Sequence, residues 1–238
     1  MQNKSFLFFI SMCLCTIVSA QSRWSIGPSA GVCISKTATN DTLANNFTTR
    51  NRVGGYFNIV GNFDLNKAAG IHFGVGIINK GYKINNDTLA YNTSINNGFS
   101  ALTGNLGLSF KQQFSTSNFI MEKFGVCVNY NMFPSTTIDT FNNVDKNTNY
   151  RIVQKQINKI YPMFYLGFAM GGSTESGNRY EFNLTYQQSF AVSHEMQVQT
   201  GEFYSKSFPV NFRGGNLQLG FTYYFNMGNF QKTEEYFY

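Results

Sequence analysis

Few residues of this chain have a type and spacing that could do chemistry. Ser193, His194 and Glu195 stand side by side. Acyl transfer needs a nucleophile, a base and a group that orients the base. Neighbours on an extended chain point in different directions, so the run reads as a solvated loop rather than a triad. The one other histidine, His72, lies far away along the chain. Of four cysteines, Cys13 and Cys15 fall in an N-terminal apolar run, which leaves Cys33 and Cys127. These residues give no catalytic, cofactor-binding or metal-ligating set. The charged residues that could act together, Lys111, Lys123, Arg179 and Glu181, gain meaning only from the elements that carry them.

Composition limits those elements. Charged residues make up 13% of the 238 residues, with 25 Phe, 14 Tyr and 29 Asn. Disordered chains lack this many aromatics. A helical bundle would be dominated by Ala, Leu, Glu and Lys. A soluble enzyme would carry more surface charge. The net charge of +6 is scattered rather than clustered, which argues against a nucleic-acid partner.

The start of the chain reads as an address. Met1 to Lys4 is polar with one positive charge, Ser5 to Val18 is apolar, and Val18-Ser19-Ala20 presents small side chains. Those are the three parts of a secretory signal peptide, residues 1–20, cut between Ala20 and Gln21. Neither Cys13 nor Cys15 follows the small residues that a lipid anchor requires. No later stretch is apolar for about 18 residues, so any membrane span is made of strands.

Past residue 21 the dominant period is two. It predicts eight strands, at about 24–35, 52–65, 69–83, 98–112, 119–133, 161–171, 179–190 and 211–225. The connections at 65–69, 113–118 and 172–178 are short. Those at 36–51, 84–97, 134–160 and 191–210 are long. Alternating short turns and long loops predict an all-β, eight-stranded antiparallel up-and-down transmembrane barrel over residues 21–225. Residues 226–238 then form a periplasmic tail.

The polar face decides which side is out. It carries Ser29, Asn58, Asn62, Thr103, Asn105, Asn129, Asn183 and Thr185 with many glycines. A solvated exterior would carry Lys and Glu, whereas a narrow interior is filled by small polar groups. The apolar face therefore looks to lipid. A lipocalin-like soluble barrel with the faces reversed is the alternative. Lys111, Lys123, Arg179 and Glu181 have inward parity near the short-turn end. They either pair as an interior charge cluster or reach water at the rim.

At GGYFNIVGNFDL (54–65), GIHFGVGIINKGYK (70–83), LTGNLGLSFK (102–111) and NLQLGFTYYF (216–225) the chain resembles the PorT-like small outer-membrane β-barrels of Bacteroidota. The resemblance implies an eight-stranded barrel in the bacterial outer membrane with no catalytic residues. It also implies, for some members, an association with protein secretion. The chain departs from the group's pattern by running on past Phe225.

The expected function is therefore non-enzymatic: a structural or interaction role through the extracellular loops or rim, among outer-membrane lipids, lipopolysaccharide and other envelope proteins. A PorT-like secretion component and a lipid-modifying enzyme are the alternatives. Eight strands leave an interior just wide enough for side chains, which excludes a wide channel. Asp-Thr-Leu recurs at 41–43 and 87–89 and resembles the O-glycosylation acceptor of that bacterial group, at Thr42 and Thr88. Ordinary Asn/Asp/Thr turn chemistry gives the same pattern. Arg151, Lys155 and Lys159 share one face whether extended or helical. They either contact lipopolysaccharide phosphates or form a solvated extension of the sixth strand.

Overall fold

The computed structural model describes residues 24–39, 47–86, 94–132, 136–143, 148–200 and 206–227. The expected leader with Ala20 and Gln21, the two threonines Thr42 and Thr88, and the residues past 227 lie outside them.

Eleven strands run in order: β1 (Trp24–Thr39), β2 (Phe47–Asp64), β3 (Ala69–Asn86), β4 (Ser94–Gln113), β5 (Asn118–Asn131), β6 (Thr136–Asn143), β7 (Thr148–Gln156), β8 (Ile160–Ser173), β9 (Arg179–Ser189), β10 (His194–Thr200) and β11 (Lys206–Asn226). All described pairings are antiparallel, in the order β1-β2-β3-β4-β5-β8-β9-β11, and β1 pairs back onto β11. That pairing closes an eight-stranded barrel and leaves no edge at this level.

The other three strands prolong the wall. β9 pairs with Gly215–Tyr224 of β11, while β10 pairs with Lys206–Phe212 of the same strand. β7 pairs with β10 and β6 with β7. Thus β10 continues the place of β9, β7 that of β8, and β6 that of β5. This corrects the expectation of long loops at 134–160 and 191–210, while β7 stands where a solvated extension of the sixth expected strand would lie. Segments such as TNYRIVQKQ and HEMQVQT carry few apolar residues. A wall that rises clear of lipid needs no continuous apolar face, so the period-two signal fades while the ladder continues.

The short turns are locally specified. Asn66 Oδ1 accepts the amides of Ala68 and Ala69, both at 2.8 Å, and Leu65 N donates to Ala69 O at 2.9 Å. At the last turn Thr174 N donates to Asn178 O at 2.8 Å, and Gly177 takes φ 77°. That conformation costs a glycine little.

The faces are sorted without ambiguity. Val53, Phe57, Val75, Leu106, Val126, Leu166 and Phe182 are 53–67% exposed, while Asn62, Asn129, Glu181 and Asn216 are 0%. A continuous apolar exterior around a polar interior is the inverse of a soluble protein. The reversed, lipocalin-like arrangement is not what the chain adopts. Aromatics gather at both limits of the apolar band. Trp24 packs on Phe63 at 4.6 Å and Phe110 stacks on Phe124 at 5.6 Å near the short turns. Phe164 meets Phe190 at 5.2 Å toward the other end.

Two interior glycines make room for tyrosines. A Cβ on Gly220 would lie 2.0 Å from the Tyr56 hydroxyl, and one on Gly107 would lie 2.4 Å from that of Tyr165. Only glycine lets those rings cross so small a lumen.

Candidate functional site

The interior is built in layers. Nearest the short turns, β5 supplies Lys123, β9 supplies Arg179 and Glu181, and β4 supplies Lys111. Lys123 Nζ donates to Glu181 Oε2 at 2.5 Å and to Asn183 Oδ1 at 3.0 Å. Arg179 Nε lies 3.1 Å from Glu181 Oε1. The Arg179 guanidinium also sits 4.5 Å from the centre of the Tyr224 ring. Asp64, at the end of β2, extends the cluster, 3.8 Å from Arg179 and 3.9 Å from Lys111. Sequence reading missed Asp64, although its parity with Asn58 and Asn62 puts it on the inward face. Glu181 is fully buried between two cations, so the layer is a cross-linked plug and not a ring of charges open to water.

Above the plug, neutral polar groups link strand to strand. Asn183 Nδ2 donates to Thr222 Oγ1, which donates to Ser29 Oγ, both at 2.8 Å. Ser109 Oγ donates to Asn62 Oδ1 at 2.9 Å. A cavity of about 40 Å³ lies among His72, Asn58, Asn105 and Tyr165. His72 Nδ1, Asn58 Oδ1, Asn105 Oδ1 and Tyr165 Oη have no hydrogen-bond partner among the described residues. Such a lining suits about three waters.

An apolar septum follows: Cys33, Tyr56, Ile78 and Ala101 on one side, Cys127, Tyr161, Met163 and Tyr165 on the other. Both cysteines are free and buried.

Beyond the septum lies a second chamber, of about 20 Å³, lined in part by Ser35, Lys80, Ser193, His194 and Arg213. Here the structure corrects the solvated-loop reading of Ser193 and His194, which are 1% and 8% exposed. The link between β9 and β10 is drawn inward because Ile157 N and Asn158 N donate to Ser193 O at 3.0 and 3.3 Å, and Asn158 Nδ2 donates to Val192 O at 2.7 Å. His194 Nδ1 lies 3.1 Å from Ser193 Oγ. Burial, and secondarily Lys80, push the His194 imidazole down to a pKa of about 4, above the apolar band. Glu195 instead accepts from Gln197 Nε2 at 2.8 Å. No described carboxylate orients the imidazole, so the pair lacks the third member of a triad. His72 and His194 line separate cavities, and no group of metal-ligating side chains occurs among the described residues.

On the outer surface, β7 carries Arg151 and Lys155, and Lys159 lies in the bend that joins β7 to β8. Gln154, between them, is buried. Lys159 Nζ lies 4.9 Å from the centre of the lipid-facing Tyr130 ring. Its neighbour Ile160 is 62% exposed, so Lys159 stands at the upper limit of the apolar band.

With its apolar side out and its polar side closed within, the chain is an eight-stranded barrel of the outer-membrane kind. No protein-family model and no curated protein matches it. Among solved structures it is similar to the outer membrane protein OprG from Pseudomonas aeruginosa, at 8% identity and a TM-score of 0.45 over 87% of this chain and 98% of that one. It is also similar to Ail, the attachment invasion locus protein of Yersinia pestis, at 11% identity and 0.41 over 87% and 100%. A third is a major outer membrane protein from Thermus thermophilus, at 12% and 0.42 over 84% and 99%. These likenesses add nothing to what the closed pairing of β1 with β11 fixes.

Proposed function

We propose that this barrel sits in a bacterial outer membrane as a non-enzymatic interaction protein whose long-loop rim engages anionic lipopolysaccharide. The segment 1–20 delivers it there, cleavage falls between Ala20 and Gln21, and residues 226–238 stay in the periplasm. The finer placement among PorT-like barrels of Bacteroidota rests on the four segments that resemble that group.

One observation carries the reading: charge is segregated along the barrel axis. In the sequence of the long connections and the strand ends that meet them, Lys36, Arg50, Arg52, Lys80, Lys83, Lys146, Arg151, Lys155, Lys159, Lys206 and Arg213 outnumber Asp41, Asp87, Asp139, Asp145, Glu195 and Glu202. Toward the short turns the acids Asp64, Glu122, Glu175 and Glu181 balance the bases Lys67, Lys111, Lys123 and Arg179. Cations at the upper limit of the apolar band stand at the depth of lipid phosphates. Lys155 and Lys159 are exposed there, and charge-assisted bonds from ammonium to phosphate are short and strong.

The test is binding of purified, folded protein to lipopolysaccharide and to its dephosphorylated form. Replacing Arg151, Lys155 and Lys159 together by Glu should weaken binding to the phosphorylated form by about tenfold or more, equivalent to about 1.4 kcal/mol. Unchanged binding, or equal binding to both forms, would remove the proposal.

A further inference from the structure

Lys80 carries a charge that no described residue answers. β3 turns it inward, and it is 1% exposed. Its Nζ lies 3.9 Å from Met163 Sδ and 5.0 Å from the centre of the Tyr161 ring. A thioether and a ring face are weak partners for an ammonium. The inward groups around it on β1, β4, β5 and β8, such as Ser35, Phe99, Asn129 and Tyr161, are neutral. Arg52 on β2 is another cation, whose Nη1 donates to Lys80 O at 2.9 Å. Glu181, the buried carboxylate of the interior, lies past the septum and is held by Lys123 and Arg179. No described residue gives Lys80 an anionic partner, and an unpaired charge taken out of water is costly.

The second chamber supplies what is missing. Lys80 lines it together with Ser35, Ser193, His194 and the exposed Arg213, and none of the described residues in its lining is a carboxylate. Tyr161, under the Lys80 ammonium, reaches the same place, since a Cβ on Gly214 would lie 3.6 Å from both its hydroxyl and Ser193 Oγ. A volume of about 20 Å³ suits one water or one small monatomic anion.

We propose that this chamber is a seat for one small monovalent anion of halide size, held by Lys80 with the Ser193–His194 pair. The bound anion neutralises the interior cation and ties β3 to the link that precedes β10. The proposal is separate from lipopolysaccharide binding, because Lys80, Ser193 and His194 are buried while Lys155 and Lys159 are exposed.

Bromide, as an anomalous scatterer, is the probe. Crystals of the wild-type barrel grown with bromide in place of chloride should show a bromide peak in the chamber beside Lys80. In solution, 35Cl resonance broadening by the folded protein should fall at least severalfold in Lys80→Met. It should persist in Lys155→Glu. Bromide found only beside exposed lysines, or broadening unchanged in Lys80→Met, would overturn the proposal and make Lys80 an uncharged amine. If Lys80→Met does not fold, the wild-type crystals decide alone: an occupied chamber supports the seat and an empty one refutes it.

Discussion

Glu181 is the anion on which the charged plug turns, and its removal gives a quantitative test. At 2.5 Å from Lys123 and 3.1 Å from Arg179, its gross attractions are about 7 and about 5 kcal/mol for an effective dielectric of about 20. Desolvation of three buried groups offsets most of that sum. What survives is an asymmetry: the three groups together are tolerated, while two cations without their anion are not. Breaking such a buried pair costs about 3–5 kcal/mol. Glu181→Gln keeps the shape and removes the charge, so it should destabilise the barrel by about that amount. Lys123→Met in the same chain removes one stranded cation and should restore at least about 2 kcal/mol. The assay is urea unfolding in phospholipid vesicles, followed by Trp24 fluorescence and by the gel mobility of the unboiled protein, on the wild type, both single variants and the double. The reasoning fails if Glu181→Gln costs under about 1 kcal/mol, or if the two single penalties simply add.

Gly220→Ala should destabilise by about 1–3 kcal/mol, because the new methyl meets the Tyr56 hydroxyl at 2.0 Å and Ala30 O at 2.4 Å; Tyr56→Phe alongside it should relieve part of the loss, and an additive effect would refute the contact. With two chambers of about 40 and 20 Å³ on either side of the septum, the protein in a planar bilayer should give no discrete conductance steps in concentrated KCl. Steps of uniform size would show an open path. For the threonines in the Asp-Thr-Leu repeats, the expected sign of O-glycosylation is a loss of apparent mass in the Thr42→Ala, Thr88→Ala double variant expressed in a Bacteroidota host, and an unchanged mass would leave turn chemistry as their role.

The barrel was legible because lipid imposes alternation: Leu102, Leu106 and Leu108 on β4 and Val126 and Val128 on β5 must all face out. The same rule failed where lipid ends. Nothing forces β6, β7 and β10 to alternate, so they read as loops although their ladders are continuous. Parity also placed Lys123, Arg179 and Glu181 on one inward face near one end, but could not choose between pairing and solvation. That depends on how far a long side chain reaches across the lumen, which period two does not encode. The burial of Ser193 and His194 was illegible for a related reason. It follows from Asn158 and Ile157 binding the link before β10, a contact between segments more than thirty residues apart. Lys80 had inward parity as well, yet its isolation from the described carboxylates emerges only when all eight walls are placed around it.

The account rests on one claim, that the apolar face of the barrel meets lipid, and the chain's single tryptophan can report on it. Trp24 is 47% exposed on that face, beside Phe63 at the short-turn limit of the band. The protein would be folded into vesicles whose acyl chains carry bromine near the headgroup or near the bilayer centre. The account predicts blue-shifted emission, strong quenching by bromine near the headgroup, weaker quenching by bromine at the centre, and little effect of aqueous iodide. Efficient quenching by iodide with none from either brominated lipid would contradict it.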